Sequence, residues 1–301
     1  MNTREWALII FTTLAQLAVG MLFVLLIVRS YASRVLGADK AAAWTNTPLY
    51  SVPVIMIAAL IASLFHLGKV MNVIGAVPNL ATSWMSREVV CSVTFTVLTV
   101  LFAFFEWRKI GSAALRIGLA WLAVVVGAVL LVSMSATYML PAQPAWNTPA
   151  TPINFFVASL LLGILGSAAG LVATAKSQAE EAGVQDALKV VLKSCALAAV
   201  LLLGIELLIL PMYIAYLSTQ GLAAIRSIYL MATEYGALLF LRLLLVFIGA
   251  GVLAFYLYQK ASVAGGEKSF GTLAYTAFAL VFISELLGRV LFYATHYRIG
   301  V

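Results

Sequence analysis

Eight runs of mostly apolar residues, each about 20 residues long or longer, occupy this chain almost from end to end, and nothing else limits its fold as strongly. They lie near Trp6–Val28, Tyr50–Leu67, Arg87–Glu106, Ala113–Met139, Pro152–Thr174, Ala187–Leu210, Tyr235–Tyr258 and Phe270–Ala294. A hydrocarbon layer about 30 Å thick is crossed by a helix of roughly 20 residues, and within it every backbone N–H and C=O must find its partner in the same segment. The breaks between runs carry turn residues: Gly37 to Lys40, Pro78-Asn79, Lys109 to Ser112, Pro141 to Pro152, Lys176 to Asp186 and Gly265-Gly266. The expected fold is therefore an all-α integral membrane protein, a bundle of eight transmembrane helices in one domain over residues 1–301. The first run exceeds the 7–15 apolar residues of a signal peptide and is expected to remain as a span.

Composition excludes the main rivals to a membrane bundle. Charged residues make up 10% of the chain and hydrophobic ones 64%, against about 25% charged in a soluble domain. The net charge of +7 is scattered over short loops and forms no basic stripe, so the expected partner of these cations is the lipid bilayer and not nucleic acid. Cys91 and Cys195 both fall in apolar runs with no CxxC spacing, so they read as packing residues and no metal site is expected.

An even number of spans puts both termini on one side, and the basic residues choose that side. Arg29, Arg34, Lys40, Arg108, Lys109, Arg116, Lys176, Lys189, Lys193, Lys260 and Lys268 fall on one face. Arg4, Lys69, Arg87, Arg226 and Arg298 fall on the other. Cations are retained in the cytoplasm, so both termini are expected to be periplasmic. The longer outer loops, Gly68 to Ser86, Leu140 to Thr151 and Pro211 to Glu234, are then the natural docking surface for a partner. Trp6, Trp44, Trp84, Trp107 and Trp146 fall near expected interfaces, as an aromatic belt requires, and Trp84 and Trp146 are the candidates for docking.

Ionisable side chains inside a membrane are costly and usually face a protein interior. Glu88, Glu206, Arg242, Glu285 and Arg289 all lie toward the outer ends of their helices, with His66 and His296 at the outer surface, and only Glu106 lies at the cytoplasmic end. Glu285 and Arg289 are spaced i,i+4 in the favourable acid-first order and are expected to pair. Arg242 and Glu206 are candidates for an interhelical bridge. Gln16, Ser133 and Ser135 are expected to bond between helices. His66 and Glu88 flank one outer loop, and a histidine titrating near about 6.5 with a carboxylate beside it suits proton exchange with a hydroxyquinone.

Several of these segments also carry a family likeness. His66-Leu67-Gly68, Ser86-Arg87-Glu88, Thr151-Pro152 with Asn154-Phe155-Phe156, Glu234-Tyr235-Gly236-Ala237-Leu238, and Glu285-Leu286-Leu287-Gly288-Arg289 with Phe292-Tyr293 and His296 occur in order along the sequence. Together they resemble the membrane-anchor subunits of bacterial dimethyl sulfoxide reductases, within the wider polysulfide and nitrite reductase anchor superfamily. The resemblance implies an inner-membrane anchor in anaerobic respiration that oxidises menaquinol as substrate and holds no covalently bound cofactor. It further implies partners: a four-cluster iron–sulfur subunit, and beyond it a molybdopterin catalytic subunit that selects the terminal acceptor. By carry-over His66 and Glu88 become the quinol-site residues, with Arg87, Glu206, Arg242, Glu285, Arg289 and His296 binding or supporting. The sequence departs from the family pattern at Arg87, whose charge beside Glu88 bears on a proton-acceptor role, and in a longer first loop from Ser30 to Leu49.

Two other readings compete. A haem b cytochrome anchor needs axial histidines, and only His66 and His296 exist. A secondary transporter needs interrupted helices and related halves with midplane charges, of which the sequence carries little.

Overall fold

The computed structural model describes residues 3–65, 75, 78–177, 183–263 and 265–299, and these form helices joined by short turns, with no strand among them. α1 (Thr3–Leu36), α2 (Ala38–Leu64), α3 (Trp84–Arg108), α4 (Ala113–Tyr138), α5 (Ala150–Ser177) and α6 (Val184–Leu217) are followed by a short α7 (Leu222–Ala232). α8 (Gly236–Ala261) and α9 (Phe270–Ala294) complete the bundle. All but α7 are long and apolar enough to cross a membrane, which gives eight spans.

Two expected loops are helix instead. The stretch Ser30–Leu49 continues α1 to Leu36 and opens α2 at Ala38, so that only Gly37, at φ 86°, separates them. That left-handed backbone is easy for glycine and strained for other residues, which is why the break sits there. The apolar pattern ends early because Arg29, Arg34, Asp39 and Lys40 sit in these helical turns. α6 likewise runs through Pro211 to Leu217, and at about 1.5 Å per residue its 34 residues exceed the hydrocarbon thickness.

α1 and α5 form the centre of the bundle. Their most apolar stretches are 78% and 83% buried, against 22–44% for the other spans. Between lipid-embedded helices close packing replaces the hydrophobic effect as the main attraction, so small residues mark the contacts. At the α1–α5 crossing Gly20 meets Ser159 and Gly163 backbone to backbone. Gln16 donates to the Phe155 carbonyl at 2.9 Å, and Ser159 Oγ donates to the Gln16 carbonyl at 2.8 Å. Ser135, in contrast with expectation, bonds within its own helix to the Val132 carbonyl, because a serine in a helix can reach the carbonyl three or four residues back, whereas Ser133 both donates to the Val129 carbonyl and meets Cys91 of α3.

The ends of the spans are chemically unlike. On the face where α1 and α3 end, Glu106 accepts from Arg29 at 2.8 Å, Lys109 at 2.9 Å and Arg116 at 2.7 Å, while Arg29 also donates to Asn46 at 2.8 Å. One buried carboxylate thus ties α1, α2, α3 and α4 together. On the opposite face, where α1 begins and α9 ends, the remaining buried ionisable groups collect.

Candidate functional site

Glu88 lies in the first turns of α3, which Ser83 caps by accepting from the Ser86 N–H at 3.3 Å. The turn buries the carboxylate, leaving the residue 8% exposed. Its side-chain neighbour is Thr137 on α4, and the hydroxyls of Tyr138 and Tyr293 lie close enough to feel its charge. Those two hydroxyls share a short hydrogen bond of 2.5 Å between α4 and α9, and Thr12 on α1 is a further partner of Tyr293. Hydroxyls from α1, α4 and α9 thus gather around a carboxyl group of α3. Arg87 turns the other way. It donates to the carbonyls of Leu80 and Ala81 at 2.9 and 2.7 Å, and its guanidinium lies 4.2 Å over the Trp84 ring. The expected influence of Arg87 on Glu88 therefore gives way to a role in fixing the turn before α3.

Aromatic rings wall this cluster. Tyr138 packs edge-on against Trp146, Phe292 and Tyr293 at 5.3, 5.2 and 5.7 Å. Trp146 stacks on Phe292 at 5.1 Å and on His296 at 4.2 Å, and its indole N–H donates to the Phe292 carbonyl at 2.8 Å. His296 Nδ1 in turn contacts the Tyr293 carbonyl at 2.6 Å. Trp146 is only 8% exposed, so little of its ring is open at the surface. It is the core of the α4–α5 connection, folded onto the end of α9. Trp44 is also fully buried and donates to the Leu171 carbonyl at 3.1 Å, outside any aromatic belt. Trp84, by contrast, is 43% exposed.

A second cluster adjoins the first. Arg242 on α8 donates to Glu206 on α6 and lies 4.0 Å from Glu285 on α9. Gly288 makes room for it, since a Cβ there would stand 2.6 Å from Arg242 Nε. The expected Glu285–Arg289 ion pair is not formed. Among the described residues Arg289 makes no ion pair, and its guanidinium lies 3.7 Å over the Phe155 ring and 5.7 Å from that of Phe292. Two carboxylates converge from α6 and α9, and a cation must stand between them. Arg242, entering from a third helix, reaches both, whereas Arg289 on Glu285's own helix does not. Ser284 anchors the same spot by donating to the Arg242 carbonyl at 2.8 Å.

Around this cluster lies a cavity of about 110 Å³. Glu206, Arg242, Glu285 and Arg289 line it, together with Asn154, Phe155 and Tyr213, and Met231 of α7 covers it. Glu206 Oε2, Glu285 Oε1 and Arg242 Nε are buried with no hydrogen-bond partner among the described residues. Buried polar atoms left unpaired are costly, so the cavity suits a polar guest.

Of the residues expected from sequence, the structure gathers Glu88, Glu206, Arg242, Glu285, Arg289 and His296 at one end of the bundle, and His66 lies outside the described residues. Sequence reading passes over Thr12, Thr137 and Tyr138, and meets Tyr293 only as part of a family motif. The available signal is position: Tyr138 and Tyr293 close two apolar runs at the same end as Glu88, and each brings a hydroxyl that must find a partner when buried.

The model of the DMSO reductase anchor subunit family, DmsC, matches residues 1–295 of this protein. The chain belongs to that family. Its relatives include an anaerobic dimethyl sulfoxide reductase chain of Haemophilus influenzae, 27% identical over 100% of this sequence and 99% of the relative. The YnfH chain of an anaerobic dimethyl sulfoxide reductase of Escherichia coli is 26% identical over 99% of this sequence and 97% of the relative. A sulfite dehydrogenase subunit of Allochromatium vinosum is 34% identical, over 40% of this sequence and 38% of that protein. The segments from Ser86 to Glu88, Asn154 to Phe156 and Glu285 to His296 supply Glu88, Asn154, Phe155, Glu285, Arg289, Phe292, Tyr293 and His296 to the two adjoining clusters.

Proposed function

We propose that this protein is the quinol-oxidising anchor of a reductase complex in a bacterial inner membrane, with both termini periplasmic. Menaquinol enters from the bilayer and is oxidised at the end of the bundle that carries Glu88. His66, by family resemblance, orients and deprotonates it. Glu88 accepts a proton. The two electrons pass to a four-cluster iron–sulfur subunit docked on the same face, and through it to a molybdopterin catalytic subunit. The excess of Lys and Arg on the opposite face supports this orientation, and full-length likeness to chains of two dimethyl sulfoxide reductases supports the partners.

The observation that carries the reading is Glu88 itself, a carboxyl group buried at a helix start among the hydroxyls of Thr137, Tyr138 and Tyr293. A quinol releases two protons as it gives up two electrons, and a buried acceptor beside hydroxyl groups supplies what water supplies in solution. In the assembled complex, Glu88→Gln and His66→Arg are expected to lower quinol-driven turnover by about a hundredfold. Reduction of the same acceptor from an artificial dye donor should persist, because the dye bypasses the anchor. Wild-type quinol turnover in Glu88→Gln, with the complex present in normal amount, would overturn the assignment.

A further inference from the structure

α7 is a largely apolar helix of which one side only is covered by protein. Its eleven residues, Leu222–Ala232, carry a single charge, Arg226, and no acid. It packs on the neighbouring ends of α6 and α8. Ala224, Ser227 and Met231 are buried against the bundle, with Met231 over the cavity beside Arg242. Leu222, Ile225 and Tyr229 face away and are 85%, 47% and 51% exposed. Arg226 stands exposed among them, its guanidinium 5.0 Å from the centre of the Tyr229 ring. A helix that is apolar on both faces is covered on both in its working state, so the outward side of α7 has an occupant.

The lengths of the flanking spans set the depth of α7. Leu217 ends α6 and Gly236 opens α8. At about 1.5 Å per residue each stands roughly 35 Å from the lysine at the other end of its own apolar stretch, Lys193 on α6 and Lys260 on α8. A hydrocarbon core is about 30 Å thick, so both ends of α7 emerge at one height, just beyond the acyl chains on the side that carries Glu88. Its axis therefore runs along the membrane surface. The exposed face continues the lipid-facing sides of the two spans that hold it, through Met212 and Tyr216 on α6 and Phe240 and Leu241 on α8, all exposed. Apolar and aromatic side chains beside a lone cation match the boundary between acyl chains and headgroups. We infer that α7 is an in-plane membrane helix, with Leu222, Ile225 and Tyr229 seated in the acyl boundary of that leaflet and Arg226 on a phospholipid phosphate. The chain from Pro211 to Glu234 is then held by lipid and is not part of the docking surface for a partner subunit. Met231 turns the inner side of the same helix onto the polar cavity, so α7 stands between that cavity and the bilayer surface. Seating α7 on lipid requires the eight spans and does not require quinol oxidation.

The experiment uses the whole complex in nanodiscs of equal phosphatidylglycerol and phosphatidylcholine, with the photoreactive residue p-benzoylphenylalanine placed in turn at Ile225, at Tyr229 and, as a lipid-facing reference on α8, at Phe240. Dye-driven turnover checks that each complex is assembled. On illumination Ile225 and Tyr229 are expected to give phospholipid adducts by mass spectrometry, as Phe240 does, and no cross-link to another subunit. Adducts at Ile225 should favour the anionic lipid about fivefold, and Arg226→Gln should bring that ratio close to one. Cross-links from Ile225 and Tyr229 to another subunit would overturn the inference by placing α7 in a protein interface. Lipid adducts at Phe240 with none at Ile225 or Tyr229 would overturn it too, by leaving the exposed face in water. Equal adducts of the two lipids at Ile225 with Arg226 present would overturn the seat of Arg226 on a phosphate.

Discussion

Arg242 joins three helices through its side chain. It enters from α8 between carboxylates of α6 and α9, and Gly288 leaves it space. Removing one partner of a buried ionic group leaves the others uncompensated, which costs more than the group's net stabilisation. Arg242→Met is therefore expected to destabilise the protein by about 3 kcal/mol or more, read as a fall in the apparent Tm of the purified complex in detergent. Gly288→Ala should act in the same direction by roughly 1–3 kcal/mol, because its Cβ displaces the guanidinium. Stability equal to wild type in Arg242→Met would mean that the two carboxylates do not depend on it. At this scale the sequence is only partly legible. Depth along each helix can be counted, so the gathering of Glu88, Glu206, Arg242 and Glu285 at one end is readable. Azimuth between helices cannot be counted, so the sequence offers the i,i+4 Arg289 as the partner of Glu285 where the structure has Arg242. The arginine on the same helix loses because Phe155 offers its ring face to Arg289, while Gly288 opens the way for the cation from α8.

Helix contacts in lipid depend on how closely backbones approach, and the α1–α5 crossing is the extreme case. A Cβ on Gly20 would overlap the Ser159 carbonyl, and one on Gly163 would overlap the backbone of Gly20. Neither neighbour is a flexible side-chain end. Gly20→Ala is accordingly expected to cost on the order of 3 kcal/mol and to lower the amount of assembled complex in membranes. Gly118→Ala, in open space on α4, serves as control and should change the apparent Tm little. Equal behaviour of the two variants would show that the crossing relaxes freely. Spacing in α5, with Gly163, Gly166 and Gly170 along one apolar run, is the sequence signal for a central helix, and it needs the partner helix to be interpreted. Hydropathy yields the number of spans because each must satisfy its own backbone. It fails at Ser30–Leu49 and beyond Leu210, where helices run on through charged residues and through Pro211. Hydropathy measures the lipid-facing length of a helix and not the length of the helix. Trp146 escapes a sequence reading for a related reason: it lies in a connecting segment, but that segment is folded into the core by its stack on Phe292 and His296.

The two ends of the whole bundle differ in what their charges do. Glu106, at one end, is saturated by Arg29, Lys109 and Arg116, a set of ion pairs that ties helices together and leaves no oxygen of Glu106 without a partner. Glu206 and Glu285, at the other end, keep unpartnered oxygens beside a cavity. No comparable string of buried ionisable groups joins the two ends among the described residues, and the centre of the bundle is the close-packed α1–α5 contact. Quinol oxidised near Glu88 would therefore lose its protons on the side from which they are nearest to water, and its electrons to a partner on that same side. Charge moved across the membrane per turnover should be close to zero. In liposomes containing the complex oriented one way, quinol-driven turnover is expected to generate no membrane potential by a voltage-sensitive dye, while protons appear or vanish on one side only. A potential that grows with turnover and collapses with a potassium ionophore would require protons or electrons to cross the apolar centre. That result would place either the quinol site or the partner at the Glu106 end, against the separation of paired from unpaired carboxylates on which the functional reading rests.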